Sequence, residues 1–170
     1  MAAIDIGSAA ADGTGTCAAA YTWLDKNNPA DGTGTLTSVQ VWANSTLAGF
    51  EVAAFDEDAV YATIYTTSGN LTIGDVASGS KQTFDISATP IAVNTGGFMG
   101  SYAATGAVES VTSGGVNIYR QAGDRIPCTA YQFSTTYGTN RQLSVYGTGA
   151  TAAGGLSMGV AMHHFKMLKG

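Results

Sequence analysis

The feature of this sequence that most constrains its fold is a series of short apolar runs separated by clusters of turn residues. No stretch of about twelve residues combines apolar side chains at helical spacing with freedom from glycine and β-branched residues. The turn clusters recur roughly every 8–12 residues, which is typical of β-sandwiches and barrels. We therefore predict an all-β chain that forms a single-domain antiparallel β-sandwich.

The clearest predicted strand is TLTSVQVWA at residues 35–43, where alternation places Val39 and Val41 on one face and Trp42 on the other. Residues 50–55 and 60–66 bracket an acidic turn, and we expect them to form a hairpin. The other predicted strands are residues 2–6, 17–24, 71–73, 82–86, 91–93, 98–103, 116–119, 130–134, 142–146 and 156–163.

Composition and charge argue against several classes of partner. Charged residues make up 11% of the chain, against roughly 25% in an average soluble domain. The net charge is −5 and Lys and Arg total 7, so we expect no binding to nucleic acid. No apolar run approaches the roughly 20 residues that span a bilayer, so we expect no membrane insertion. The N-terminal MAAIDIGSAA lacks the pattern of a signal peptide, which predicts synthesis in the cytoplasm without one.

Two further features each allow two interpretations. Cys17 and Cys128 are too few for a disulfide framework, and two small half-buried apolar residues are favoured over a bridge between them. The phrase ADGTGT occurs at residues 11–16 and again at residues 30–35. Each copy offers a single Asp, so we interpret the copies as paired turns rather than as Ca²⁺ loops.

Candidate catalytic residues are few. His163 and His164 are adjacent, and neighbours on a strand point to opposite faces, so they do not converge on one metal or proton path. The carboxylates available for a glycosidase-type pair are Glu51, Asp56, Glu57, Asp58 and Glu109. Three of these lie on the expected hairpin tip, where solvent leaves carboxylates ionised. A cation, or a basic patch on a neighbouring protein, is the alternative partner for that tip. We expect no enzymatic activity, no metal and no cofactor.

Aromatic residues allow a second functional class, because a Tyr or Trp ring offers an apolar face that stacks on sugars. Most of these rings are expected to belong to the core. Trp42 is the exception, since it lies on the strand face opposite Val39 and Val41, and we predict it as a glycan contact.

The C-terminal segment, residues 156–170, has a pattern of its own after a β-sandwich domain at residues 1–155. Its first apolar residues alternate as in a half-buried strand, and methionine is common at surfaces that pack against a partner. A strand that closes the domain's own sheet is the alternative. The residues that we predict to form assembly contacts are Leu156, Met158, Val160, Met162, Phe165, Met167 and Leu168.

Four phrases carry a resemblance to a known kind of module. They are DKNNPADGTGTLTSVQVWANSTLAGFEVAAF from residue 25, VASGSKQTFDI from residue 76, QAGDRIPCTAYQF from residue 121 and RQLSVYGTG from residue 141. In that order they resemble a module of uncharacterised tailed-phage and metagenomic virion proteins, over roughly residues 1–149. Residues 98–115 lack the sequence pattern of that module, which is rich in Gly, Asp and aromatic residues.

The resemblance implies a jelly-roll-like sandwich and no catalytic residues. It implies a non-enzymatic structural protein of the virion surface: a capsid decoration, a head fibre or a tail-surface module. The expected partners are the major capsid or tail protein and further copies of this chain, in a homo-oligomer. The alternative is a carbohydrate-binding jelly-roll module that attaches to host or surface glycans.

Overall fold

The computed structural model describes residues 1–152, and that part of the chain contains strands and no helix. The strands are β1 (Ala3–Gly7), β2 (Gly15–Ala18), β3 (Tyr21–Asp25), β4 (Gly34–Glu57), β5 (Ile64–Val76), β6 (Lys81–Asp85), β7 (Ile91–Val93), β8 (Phe98–Tyr102), β9 (Thr105–Val111), β10 (Asn117–Ala122), β11 (Tyr131–Gln132), β12 (Thr135–Thr139), β13 (Gln142–Leu143) and β14 (Val145–Thr151). The pairings between these strands are antiparallel. The prediction of an all-β, sandwich-like single domain is confirmed.

The 24-residue strand β4 links three sheets, because its first, middle and last parts each pair with a different set of strands. Its first part pairs with β6, β7 and β14, and β14 pairs with β1; these strands form sheet A. Its middle pairs with β9, which also pairs with β2 and β13; these form sheet B. Its last part pairs with β5 and β8 and leads to β3, β10, β11 and β12; these form sheet C.

The continuity of β4 corrects the expectation of two separate strands at residues 35–43 and 50–55. Register shifts in β4 follow Ala43, Ser45 and Leu47, and Gly49 has a φ of +58°. Extra residues on one strand of a pair bend it and increase its twist. The segment that reads as a turn therefore redirects a single strand from sheet A to sheet C.

Other boundaries also differ from the prediction. The expected strand at residues 17–24 is divided into β2 and β3 at Ala20, whose φ is +62°. Residues 71–73 belong to the long strand β5. Strands β9 and β12 were not expected, because Gly, Ser and Thr dominate their neighbourhoods and resemble a turn cluster.

Two apolar clusters hold the sheets. The inner core contains residues of all three sheets, for example Val39 of sheet A, Val108 of sheet B and Val52 of sheet C, and it forms the hydrophobic interior of the sandwich. The outer cluster lies on the other face of sheet C. Its members are Leu24, Ala53, Phe55, Tyr65, Phe98, Ile126 and Phe133. Sheet C is therefore buried on both faces where β4 runs through it, which explains the continuous apolar run at residues 52–55.

Sheet A has a non-local strand order. The last strand of the described chain, β14, lies between β1 and β4, so the first and last strands are hydrogen-bonded neighbours. Such an order belongs to Greek-key and jelly-roll arrangements rather than to a simple meander. No helix long and apolar enough to cross a membrane is found among residues 1–152.

Candidate functional site

The end of sheet C that carries the β4–β5 hairpin exposes three large apolar side chains. The predicted hairpin is confirmed, since Glu57 pairs with Tyr65 and the ladder continues from there into both strands. The turn is longer than expected, because β5 begins at Ile64 and Val60 lies in the loop rather than in the strand.

Backbone hydrogen bonds and one carboxylate fix this turn. Asp58 Oδ1 accepts from the backbone nitrogens of Val60 at 2.8 Å and of Tyr61 at 3.0 Å. The Asp58 nitrogen donates to the Ile64 oxygen at 2.8 Å, and the Ile64 nitrogen donates to the Tyr61 oxygen at 2.9 Å. Short polar side chains that bond the backbone two or three residues on are a common turn device. The tip therefore has a defined shape.

The tip exposes apolar side chains. Val60 is 77% exposed and Tyr61 is 62% exposed, and Val116, just before β10, is 63% exposed. Val116 lies at the same end of sheet C, because β10, β3, β8 and β4 are consecutive neighbours there. Three interstrand spacings put it about 14 Å from the hairpin. We call Val60, Tyr61 and Val116 the hairpin end.

The acidic residues of the tip do not form the solvated cluster that we expected. Glu57 pairs with Lys26 at 2.5 Å and accepts a hydrogen bond from Tyr65 Oη at 3.0 Å. Burial, and then the neighbouring Glu57, raises the pKa of Tyr65. Asp56 accepts from Asn94 at 2.6 Å, and Asp58 caps the turn. All three carboxylates are thus engaged within the chain.

The remaining candidate carboxylates lie elsewhere. Glu51 sits in sheet C beside Thr72, at 3.3 Å, and burial followed by the charge of Asp124 raises its pKa. Glu109 sits in sheet B, is 4% exposed and accepts from Asn44 at 2.7 Å. The strands thus distribute the proposed glycosidase carboxylates over two sheets. No group of three or more His, Cys, Asp or Glu side chains suited to a metal occurs within residues 1–152.

The two ADGTGT copies occupy similar settings at the starts of strands. In the first, Thr14 shares a hydrogen bond with the Thr112 hydroxyl at 2.9 Å, and in the second, Thr33 does so with the Thr95 hydroxyl at 3.1 Å. Gly15 and Gly34, the first residues of β2 and β4, are both tightly enclosed. A Cβ on Gly34 would lie 2.1 Å from a backbone oxygen. These contacts support paired turns.

Sequence reasoning missed one buried carboxylate, Asp25, at the end of β3. It is 0% exposed. It accepts hydrogen bonds from Ser8 Oγ at 2.6 Å, the Leu143 nitrogen at 3.1 Å, the Asn27 nitrogen at 3.0 Å and Asn27 Nδ2. Burial outweighs these bonds and raises the pKa of Asp25. The signal was an Asp that directly continues the apolar run YTWL.

Trp42 lies where the alternation predicted, on the outer face of sheet A, and it is partly exposed. Tyr146 pairs with Gln40 on the same face, which makes Trp42 and Tyr146 diagonal neighbours about 7–8 Å apart. Tyr146 Oη donates to Asp5 at 3.0 Å beside a shallow cleft of about 180 Å³. The role of Trp42 as a glycan contact stays a prediction.

Both cysteines are free. Cys17 belongs to the inner core, whereas Cys128 packs against the outer cluster on the far side of sheet C. Burial raises the pKa of Cys17 to about 12. The favoured interpretation, two partly or fully buried apolar residues, agrees with the structure.

The predicted assembly contacts, Leu156, Met158, Val160, Met162, Phe165, Met167 and Leu168, lie outside the described residues. The same holds for His163 and His164.

No protein-family model matches the chain, and no curated protein matches it.

Proposed function

We propose that this chain is a non-enzymatic structural module of a tailed-phage particle that acts by packing against other virion proteins and further copies of itself. The observation that carries the proposal is the hairpin end, where Val60 and Tyr61 are exposed on a tip of defined shape.

A tip whose backbone is fixed by hydrogen bonds suits association, because a turn that is already formed before contact loses less conformational freedom when a partner covers it. Tyrosine is enriched at interfaces, because its ring buries a large apolar area while its hydroxyl stays hydrogen-bonded. Val60 and Tyr61 form the protruding part of such a contact, and Val116 extends the surface sideways.

The attribution to a phage particle rests on the four phrases that resemble virion proteins and on the character of the surface. A charge-poor, hydroxyl-rich chain with long-range strand pairing suits a durable outer layer. The position that fits this character is the surface of the virion, as a capsid decoration, a head fibre or a tail-surface module.

Two experiments test the proposal: analysis of the protein composition of the particles and substitution of residues at the hairpin end. Mass spectrometry of purified particles of the phage that encodes the chain is expected to find it in stoichiometric amount. A phage carrying Val60→Ser and Tyr61→Ser is expected to incorporate at least about tenfold less of it, because the apolar contact is lost. Ala77→Ser, in the turn after β5, is the matched control. Absence from wild-type particles, or equal incorporation of both variants, contradicts the proposal.

The segment 156–170 supplies a separate test of the same function. Its deletion is expected to abolish incorporation while far-ultraviolet circular dichroism keeps its β-type form. Normal incorporation of the shortened chain would remove this segment from the proposed contact and leave the hairpin end as the only one.

A further inference from the structure

Two arginines and two tyrosines form an alternating stack at one side of sheet C. The Arg120 guanidinium carbon lies 5.1 Å from the centre of the Tyr21 ring and 4.8 Å from that of Tyr137. The Arg141 guanidinium carbon also lies 4.8 Å from the Tyr137 ring. We call these four residues the arginine–tyrosine stack.

The strands around the stack hold it in place. Arg120 of β10 pairs with Trp23 of β3 on one side and with Thr135 of β12 on the other. The buried Trp23 ring meets Tyr137 edge-on, with centres 4.9 Å apart, and Trp23 Nε1 donates to the Ala18 oxygen at 2.9 Å. The rings of the stack therefore rest on the inner core rather than on a mobile loop.

The positive charges of the stack have no carboxylate partner within the described residues. The ion pair found there joins Lys26 to Glu57, in another part of the sheet. Arg141 donates to the neutral Ser110 hydroxyl at 3.2 Å, and residues 1–152 provide no hydrogen-bond acceptor for the Arg120 guanidinium. Arg120 and Arg141 both contact the Tyr137 ring, so their like charges repel each other. An anion beside either guanidinium would lower the electrostatic energy of the pair.

Arg120 is the better placed of the two arginines to bind an anion, because it is partly exposed and its guanidinium donates no hydrogen bond within residues 1–152. The N–H groups of a guanidinium lie in its own plane, and a pair of them on one edge matches the two oxygens of a carboxylate or sulfate. Hydroxyl groups surround the site. A Cβ on Gly15 would touch both Arg141 and Thr112, so the Thr14–Thr112 hydroxyl pair is close to Arg141.

We propose that the arginine–tyrosine stack binds the carboxylate or sulfate group of an acidic polysaccharide, a function beyond packing in the particle. The Arg120 guanidinium holds the anionic group, Arg141 adds a second positive charge nearby, and the Thr14 and Thr112 hydroxyls beside Arg141 bond to a neighbouring sugar. The site is distinct from Trp42, which lies on the outer face of sheet A.

The experiment is affinity electrophoresis of the full chain in gels that contain alginate, dextran sulfate or unmodified dextran. Retardation is expected in an acidic gel and not in dextran, and the gel that retards the chain identifies carboxylate or sulfate as the group bound. Arg120→Ala is expected to weaken the apparent affinity at least about tenfold, as loss of a charge-assisted contact does. Lys81→Ala removes the same charge from an exposed position in β6 and is expected to have no such effect.

A second variant and a second measurement show whether a loss of binding in Arg120→Ala arises from misfolding of that variant. Arg120→Gln keeps part of the aliphatic stem and a polar end without the charge, and its circular dichroism is expected to match that of the wild type. In a Trp42→Phe background Trp23 is the remaining tryptophan, and its fluorescence is expected to change when the acidic polysaccharide is added.

Three results would overturn the proposal: no retardation in either acidic gel, equal weakening by Arg120→Ala and Lys81→Ala, or binding lost in Trp42→Ala but kept in Arg120→Ala. The last result places a glycan site on sheet A instead. None of these outcomes bears on incorporation into particles, so the packing proposal is tested separately.

Discussion

Replacement of Asp25 by alanine is expected to destabilise the fold strongly. The carboxylate joins three parts of the chain, since it accepts from Ser8 in the loop after β1, from Asn27 after β3 and from Leu143 in β13. Ser8 is 5% exposed and Leu143 is 0% exposed, so water cannot readily replace the lost acceptor.

The magnitude follows from the donors that would be left unpaired. A buried donor without an acceptor costs about 1–3 kcal/mol, so the Ser8 hydroxyl and the Leu143 N–H together cost about 2–6 kcal/mol. Asn27 adds less, because its side chain also donates to the Arg141 oxygen at 2.8 Å. A loss of about 4 kcal/mol is a large part of the roughly 5–15 kcal/mol that holds a typical domain together.

Urea unfolding, monitored by circular dichroism, measures this loss. Asp25→Ala is expected to unfold at a lower urea midpoint than the wild type, with an unchanged dependence of the unfolding free energy on urea concentration. Asp25→Asn keeps one acceptor oxygen and is expected to fall between the wild type and Asp25→Ala. Asp85→Ala is the matched control, because Asp85 lies at the surface and its hydrogen bonds go to Ser87 alone, with the Ser87 nitrogen at 2.9 Å, so its midpoint should move far less than that of Asp25→Ala. A loss below about 1 kcal/mol for Asp25→Ala would refute the reasoning, since the donors would then have found other acceptors.

Three further predictions concern protonation, packing and thiol chemistry. Because burial raises the pKa of Asp25 above its usual 3.8 in the folded state, protonation of Asp25 adds stability that is fully present below that pH and is lost as pH rises through the folded value, separately from the hydrogen bonds that the carboxyl accepts; urea midpoints of Asp25→Asn should lack this pH-dependent component, and identical profiles would contradict the assignment. Gly149→Ala would place a Cβ 1.9 Å from the Thr35 oxygen and should cost about 3 kcal/mol in urea, against about 1 kcal/mol for Gly79→Ala, which meets open space at positive φ. Ellman's reagent should label Cys17 only on unfolding, since burial raises its pKa to about 12, and rapid labelling in buffer would contradict its burial.

Much of the fold could be predicted because alternation is a local property. Val39 and Val41 are buried and Trp42 is partly exposed, as the pattern of residues 35–43 indicates. The path of β4 could not be predicted, because Gly49 reads as a turn and becomes a bend only through the strands that pair on either side of it. Pairing partners are set by distant residues, and local propensity does not contain that information.

The sites were harder to predict for the same reason. The exposed Val60 was assigned to a strand, since an apolar β-branched residue next to a strand has the same local pattern whether it is buried or displayed. Asp58 locks the tip through hydrogen bonds that its sequence position alone only suggests. The arginine–tyrosine stack joins Tyr21 to residues about a hundred positions away, and no spacing rule links such residues.

The place of β14 in sheet A has a consequence for how the chain is made. Strands β1 and β4 each offer an edge to β14, and the ribosome delivers β14 after every other described strand. Until Val145–Thr151 has emerged, the nascent chain carries two open edges that attract other extended segments. Folding of sheet A therefore waits for this last described strand, and release of chains that lack it would favour aggregation over a partly built domain.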